Sequence, residues 1–124
     1  MKLLCDENIG TRIPYALRLV ELEAKSSSEA HLLGADDIHY LTAVSKGNFL
    51  GFSTNKEMLN VPEERDTIVT EKVGIVFVTR GDLKLANTLQ LMLNKWDWLE
   101  TIDVLVPRPF VYFLYPTGHT EKKL

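Results

Sequence analysis

The chain has 124 residues, of which 45% are hydrophobic, and this is the size and composition of one domain with a single ordinary core. A net charge of −3 excludes a general basic surface for nonspecific nucleic-acid binding, and the single cysteine, Cys5, excludes an intramolecular disulfide. The apolar runs are too short to cross a membrane, and the N-terminus lacks the long apolar segment of a secretory signal. We therefore expect one cytoplasmic domain over residues 1–116, followed by a polar tail over residues 117–124.

The first half of the chain alternates strand and helix patterns. Residues 2–5 predict a buried strand that ends in the polar turn Asp6-Glu7-Asn8, and residues 24–28 predict a short second strand. Two segments carry apolar residues at helical spacing: Ile13, Leu17 and Val20 in the first, and Ile38, Leu41 and Val44 in the second. Thr11 is a candidate cap of the first helix, either Asp36 or Asp37 caps the second, and Gly47 is expected to end it in the left-handed conformation.

The second half of the chain predicts four more strands and one more helix. The strands are residues 49–53, 74–78, 102–106 and 110–114, and the first of them runs into the polar stretch Thr54-Asn55-Lys56-Glu57. Residues 61–71 contain Pro62 and mixed charges, which predicts a surface loop. Asp82 opens the strongest helix pattern, whose core face is expected to carry Leu85, Leu89, Met92 and Trp96. Strands that alternate with helices predict an α/β fold with a largely parallel sheet, and an antiparallel C-terminal edge is an open alternative.

Acidic and polar residues follow the predicted strands, where α/β sheets bind their ligands. They are Asp6 and Glu7 after the first strand, Asp36 and Asp37 at the second helix, and Asn55 and Glu57 after a later strand. Carboxylates that meet in one pocket repel each other, and a hard divalent cation, Mg²⁺ or Mn²⁺, relieves that repulsion. Such a site suits phosphodiester hydrolysis. Each acid also has a simpler explanation, since Asp36 and Asp37 are ideal helix caps and Glu57 suits an exposed surface.

Other chemistries lack the necessary patterns. His31, His39 and His119 have no paired metal spacing, and with one cysteine no zinc site is predicted. No glycine-rich phosphate loop, nucleophile elbow or Cys-His pair is present. A receiver-like signalling domain also places acids after its first strand, but it needs an aspartate after a central strand, and neither Ser53-Thr54 nor residues 78–80 supply one.

Three short motifs together resemble a known family. Leu3-Leu4-Cys5-Asp6-Glu7-Asn8 is a strand that ends in Asp-Glu-Asn, and residues 36–43 place an aspartate at the start of a helix with an alanine-containing apolar stripe. Ser53-Thr54-Asn55-Lys56-Glu57-Met58 is the third motif, and residues 74–80 are similar to the strand that follows it. In this combination the chain resembles the PIN-like nucleases, in particular short prokaryotic PIN-like proteins.

The resemblance implies a three-layer α/β/α fold and a metal-dependent endonuclease, specifically a ribonuclease that is often the toxin of a toxin–antitoxin pair. It implies catalytic roles for Asp6, Asp37 and Glu57. The residues it offers to Mg²⁺ or Mn²⁺ are Asp6, Glu7, Asp36, Asp37, Asn55 and Glu57, and those it offers to the substrate are Asn8, Arg12, Thr54 and Lys56. The expected partner is RNA, with single-stranded DNA second, and an antitoxin protein or a second copy of the chain are the further candidates.

The third motif departs from the family pattern at two positions. Asn55 stands where the family has an aspartate, and Glu57 replaces a second aspartate with a longer side chain. Fewer charges weaken metal binding. The alternative prediction is therefore a catalytically degenerate PIN-like module that acts by binding a protein or a nucleic acid.

Overall fold

In a computed structural model that describes residues 1–124, six strands and five α-helices build one α/β unit. The strands are β1 (Leu3–Cys5), β2 (Ala24–Ser26), β3 (Leu50–Ser53), β4 (Gly74–Val78), β5 (Phe110–Leu114) and β6 (Thr120–Lys122). The helices are α1 (Arg12–Leu19), α2 (Asp37–Lys46), α3 (Pro62–Thr70), α4 (Leu85–Asn94) and α5 (Trp96–Leu105). Two short 3-10 helices, Glu7–Ile9 and Lys56–Leu59, follow β1 and β3.

The strands form one sheet in the order β2-β1-β3-β4-β5-β6. All neighbours are parallel except β5 and β6, so the prediction of a largely parallel sheet is confirmed and the C-terminal edge is antiparallel. β1 lies inside the sheet, with Leu4 opposite Lys25 of β2 and Gly51 of β3. The polar residues after β1 and β3 therefore leave the sheet side by side at its carboxyl edge.

Helices cover both faces of the sheet, which gives an arrangement compatible with three α/β/α layers. One apolar cluster joins the sheet to α1, α4 and α5, through residues such as Leu17, Met92 and Leu99. The other joins the opposite face to α2 and α3, through Leu41 and Ile68. Successive strand residues point to opposite faces, so neighbours along a strand contribute to different clusters.

Residues 62–70 form helix α3, so the predicted surface loop is wrong. Pro62 occupies the first turn of the helix, where its missing N–H costs nothing, and Glu63 and Glu64 stand beside the exposed backbone N–H groups of that turn. Ile68 is the only residue of this helix that is buried. The hydrophobic periodicity is therefore too weak to reveal the helix in the sequence.

The predicted strand over residues 102–106 is also wrong, because Ile102 belongs to helix α5. Trp96, Leu99 and Ile102 recur at helical spacing and all three are buried, whereas Val104 and Leu105 are largely exposed. The helix expected from Asp82 begins at Leu85 instead, and it ends before Trp96. The four residues expected on one core face therefore belong to two helices, and only Met92 and Trp96 are buried.

The ends of several elements differ from the sequence prediction. Gly47 ends α2 with a φ of −85°, and the left-handed residue is the next one, Asn48, at 55°. Thr11 precedes α1 without a capping hydrogen bond from its side chain. The segment 117–124, predicted as a polar tail, includes β6 and is part of the sheet.

Candidate functional site

The carboxyl edge of the sheet brings together three of the predicted site residues. Asp6 follows β1 directly, and Asn55 follows β3, the parallel neighbour of β1. Asp37 is the first residue of α2, and its Oδ2 accepts a hydrogen bond of 3.2 Å from Asn55 Nδ2. The negative charge of Asp37 also acts on the Asp6 carboxyl. These three side chains form the centre of the candidate site.

Asp6 is almost completely buried, with 8% of its surface exposed. Its Oδ1 accepts a hydrogen bond of 2.7 Å from the backbone N–H of Glu7, and its Oδ2 accepts one of 2.9 Å from Ser53 Oγ. Burial raises the pKa of Asp6 and the charge of Asp37 raises it further, although the two hydrogen bonds act in the opposite direction. The carboxylate is therefore held in one orientation at a site that disfavours its charge.

Ser53 is a residue of the site that the sequence interpretation missed. Its fully buried hydroxyl donates to Asp6 and accepts a hydrogen bond of 2.9 Å from the backbone N–H of Asn55. Ser53 therefore joins the end of β1 to the turn after β3. The sequence does contain a signal for this role, since Ser53 is the one hydroxyl residue at the end of an apolar strand. A buried hydroxyl requires a hydrogen-bond partner.

Tyr40 fixes helix α2 against the two strands that carry the site. Its hydroxyl accepts a hydrogen bond of 3.0 Å from the backbone N–H of Phe52 in β3 and donates one of 2.7 Å to the carbonyl of Leu4 in β1. Gly51 leaves room for this contact, since a Cβ at that position would lie 3.2 Å from the Tyr40 hydroxyl. Asp37 precedes Tyr40 by one helical turn, so the buried hydroxyl also sets the place of Asp37.

Glu64, in the first turn of α3, is a second residue of the site that sequence reasoning missed. It lines a groove together with Asp37, and burial raises the pKa of Glu64 to about 7 together with a hydrogen bond that only the protonated Glu64 carboxyl can donate to the Asp37 carboxylate. The available signal was Pro62 followed by Glu63 and Glu64, a typical helix start that the loop prediction overlooked.

Asp36 and Asp37 have different partners in the structure. Asp36 Oδ1 accepts a hydrogen bond of 2.8 Å from the backbone N–H of His39, and the His39 ring lies 2.7 Å from the same oxygen. These bonds to His39 lower the pKa of Asp36. Asp36 is exposed and serves as the N-cap of α2, whereas Asp37 is bonded to Asn55 and is the stronger candidate for the site.

Two further acids that were predicted in the site have other partners. Glu7 is exposed, and its Oε1 accepts a hydrogen bond of 2.7 Å from the backbone N–H of Gly34. Glu57 is exposed on the second 3-10 helix, where its Oε2 accepts one of 3.3 Å from Asn60 Nδ2. Neither carboxylate joins the hydrogen-bonded group of Asp37, Asn55 and Glu64.

The residues predicted to contact substrate divide in the same way. Asn8, Arg12 and Thr54 line one groove beside the site, and the backbone N–H of Thr54 approaches Asn8 Oδ1 at 3.5 Å. Lys56 lies on the 3-10 helix after β3 and does not line that groove. The structure therefore places three of these four residues together.

The donor atoms of the site suit a hard divalent cation. The carboxylate oxygens of Asp37 and Glu64 and the amide oxygen of Asn55 are the kind of ligand that Mg²⁺ and Mn²⁺ prefer. In the present arrangement no three histidine, cysteine or acidic side chains form a group that could hold a metal ion. The position at which a cation fits the chemistry is between the neighbouring carboxyl groups of Asp37 and Glu64, where it would replace the proton of Glu64.

Comparisons with protein-family models, with curated proteins and with solved structures gave no match. None of the five helices combines the length and the apolar character that crossing a membrane requires. The resemblance to PIN-like proteins, with the ribonuclease, toxin and antitoxin roles that it implies, stays a prediction based on the residues themselves.

Proposed function

We propose that this protein is a PIN-like phosphodiester hydrolase that requires Mg²⁺ or Mn²⁺ and acts on RNA. The observation that supports it best is the pair of neighbouring carboxyl groups, Asp37 and Glu64, which line one groove at the carboxyl edge of the sheet beside Asp6. A carboxyl group with a pKa near 7 at such an edge is a candidate for function, because a site that only stabilised the fold would not need two acids in contact.

Glu64 offsets the main departure from the family pattern. Asn55 lacks the charge of the expected aspartate, but α3 brings a different carboxylate to Asp37. Asp37 and Glu64 would hold the cation, with the amide oxygen of Asn55 as a neutral donor and the charge of the buried Asp6 beside them. When it is bound, the cation polarises the phosphodiester and lowers the pKa of the attacking water.

The chain itself contributes orientation and a ligand that responds to the cation. Ser53 Oγ holds Asp6, and Asn55 Nδ2 holds Asp37. Without a cation the pKa of Glu64 lies at about 7, so near neutral pH its carboxyl can release the proton and become a ligand as the cation binds.

A specific observation favours a second candidate, a PIN-like module that binds without cleaving. Both oxygens of Asp6 accept hydrogen bonds from Glu7 and Ser53, and the Asn55 amide donates to Asp37. These bonds satisfy the acids without a cation. In this alternative Asp37 and Glu64 only stabilise the edge of the sheet, and the protein acts through a nucleic acid or a protein partner.

Cleavage of labelled RNA and single-stranded DNA separates the two candidates. Wild type is compared with Asp37→Asn and Glu64→Gln in Mg²⁺, in Mn²⁺ and in EDTA, and Glu57→Gln serves as the control because Glu57 is an exposed acid outside the group. We expect metal-dependent cleavage by wild type and by Glu57→Gln, and a loss of about 100-fold in the other two variants. No cleavage by wild type in either metal would reject the nuclease in favour of the binding module.

A further inference from the structure

The two sides of the carboxyl edge differ in charge. Asp37 and Glu64 lie on the side of α2 and α3. Arg12 belongs to α1, and α1 and α4 cover the opposite face of the sheet. Asn8 and Thr54 stand between the two sides, where β1 and β3 end. An anionic ligand that binds at Asp37 and Glu64 through a cation can therefore extend past Asn8 and Thr54 to Arg12 on the opposite side.

Arg12 is the side chain that connects two grooves on this basic side. One groove is lined by Asn8, Thr54 and Arg80 together with Arg12, and the other by Arg12, Tyr15 and Ser28 among others. Arg12 is exposed and forms no ion pair or hydrogen bond, so its guanidinium is free for a ligand.

Other charges along this path are already neutralised within the chain. Arg80 pairs with Asp82 at 2.7 Å, and Arg18 pairs with Glu29 at 2.9 Å. Both ions of the Arg80 pair are more than half exposed, so the pair is weak and Arg80 can exchange Asp82 for a phosphate. Arg18 also donates to the carbonyl of Ala24 and is occupied.

Tyr15 is an exposed aromatic residue in the same groove as Arg12, and binding of a phosphate alone does not require an aromatic ring. It lies three residues after Arg12 on α1, so the two side chains are neighbours on one helix face. Tyr15 is 59% exposed, so its large apolar surface is not packed in the core. An exposed ring beside a free arginine offers a face to a base and a charge to the adjoining phosphate.

We propose that Arg12 and Tyr15 form a binding track for single-stranded nucleic acid, with a base stacked on Tyr15 and the backbone passing Arg12 and Arg80 toward the acids. This inference rests on the proposed function, since it names the form of nucleic acid that the site takes. A duplex keeps its bases stacked inside and cannot offer one to Tyr15. The track therefore selects unpaired strands.

Binding is measured by fluorescence anisotropy in EDTA, so that cleavage does not contribute. The probes are a fluorescein-labelled single-stranded RNA, a DNA of the same sequence, and the duplex of each. The variants are Arg12→Ala, Tyr15→Ala and Tyr15→Phe. Lys46→Ala removes an exposed charge at the far end of α2, and Leu19→Ala removes an exposed apolar side chain of α1, so these two are the controls.

We expect Tyr15→Ala to weaken single-strand binding on the order of tenfold, and Tyr15→Phe to bind as wild type does. Arg12→Ala should also lower the slope of log affinity against log salt by about 0.7, the value for one phosphate contact on a single strand. The inference is overturned if wild type binds no single strand, if it binds the duplex as tightly, or if the variants match their controls. Weakened binding by these variants together with no cleavage by wild type in Mg²⁺ or Mn²⁺ would support the track and reject the nuclease.

Discussion

Replacing Glu64 by glutamine should make the protein more stable at alkaline pH and leave it unchanged in acid. The pKa of Glu64 rises from its ordinary 4.5 to about 7 in the folded protein, because burial and the bond to Asp37 favour the protonated form. The folded state then binds more protons than the unfolded state between these two values, so the free energy of unfolding falls as pH rises through that range. Glutamine keeps a neutral side chain of the same length and does not ionise.

The size of the effect follows from the two pKa values. At 1.36 kcal/mol per pKa unit, the rise to about 7 corresponds to about 3 kcal/mol lost in full above pH 7. Glu64 is only half-buried, and solvent screening reduces this to about 1 kcal/mol. We therefore expect Glu64→Gln to exceed wild type by about 1 kcal/mol at pH 8 and to equal it near pH 4.5.

Urea unfolding at both pH values measures this difference. Glu57→Gln is the control, because it removes an exposed acid that lies outside the group of Asp37 and Glu64. A second arm adds Mn²⁺ at pH 8, which should stabilise wild type and not Glu64→Gln if the cation replaces the proton of Glu64. Equal gains for Glu64→Gln at pH 4.5 and at pH 8 would refute the raised pKa of Glu64, because a gain that does not come from ionisation does not depend on pH.

Three further substitutions test the hydrogen bonds that support Asp6 and the helical conformation of α5. Ser53→Ala removes the donor to Asp6 and the acceptor of the Asn55 N–H, and should lower the free energy of unfolding by about 1 to 3 kcal/mol in urea titrations; a change near zero would show that Asp6 does not depend on this hydroxyl. In α5, Ile102→Ala should cost about 2 to 5 kcal/mol and Val104→Ala no more than about 0.5 kcal/mol, because only Ile102 is buried. An equal loss of unfolding free energy at both positions would contradict the helix and favour a strand, in which residues 102 and 104 lie on the same face.

The sequence allowed a good prediction of those parts of the fold that have strong local patterns. Continuous apolar runs identified β1, β3, β4 and β5, and apolar spacing identified α1 and α2. Helix α3 was missed because one buried residue, Ile68, leaves no periodic stripe. The end of α5 resembles a strand in the sequence because Val104, Leu105 and Val106 form a short apolar run, whereas the helical spacing from Trp96 shows that Ile102 is the buried residue.

The candidate site could be predicted only where a residue follows a recognisable element. Asp6 and Asp37 were identified because they stand at the end of a strand and the start of a helix. Ser53 and Glu64 could not be identified in this way, because their roles depend on contacts with Asp6 and Asp37 that are distant in sequence. Asp36 caps α2 and Glu57 is bonded to Asn60, and sequence spacing alone does not distinguish a helix cap or a surface acid from a member of the site.

The buried hydrogen bonds of Tyr40 make α2 more rigidly attached to the sheet than α3, the other helix that carries an acid of the site. Helix α2 is bonded to β1 and β3 through a buried hydroxyl, so it cannot slide without breaking two buried hydrogen bonds. In helix α3 only the side chain of Ile68 is buried, and a helix with so few buried contacts opens at low free energy. Amide hydrogens of α3 should therefore exchange faster than those of α2, and Glu64 is the acid whose distance from Asp37 adapts to the size of a ligand, while Asp37 remains the fixed point.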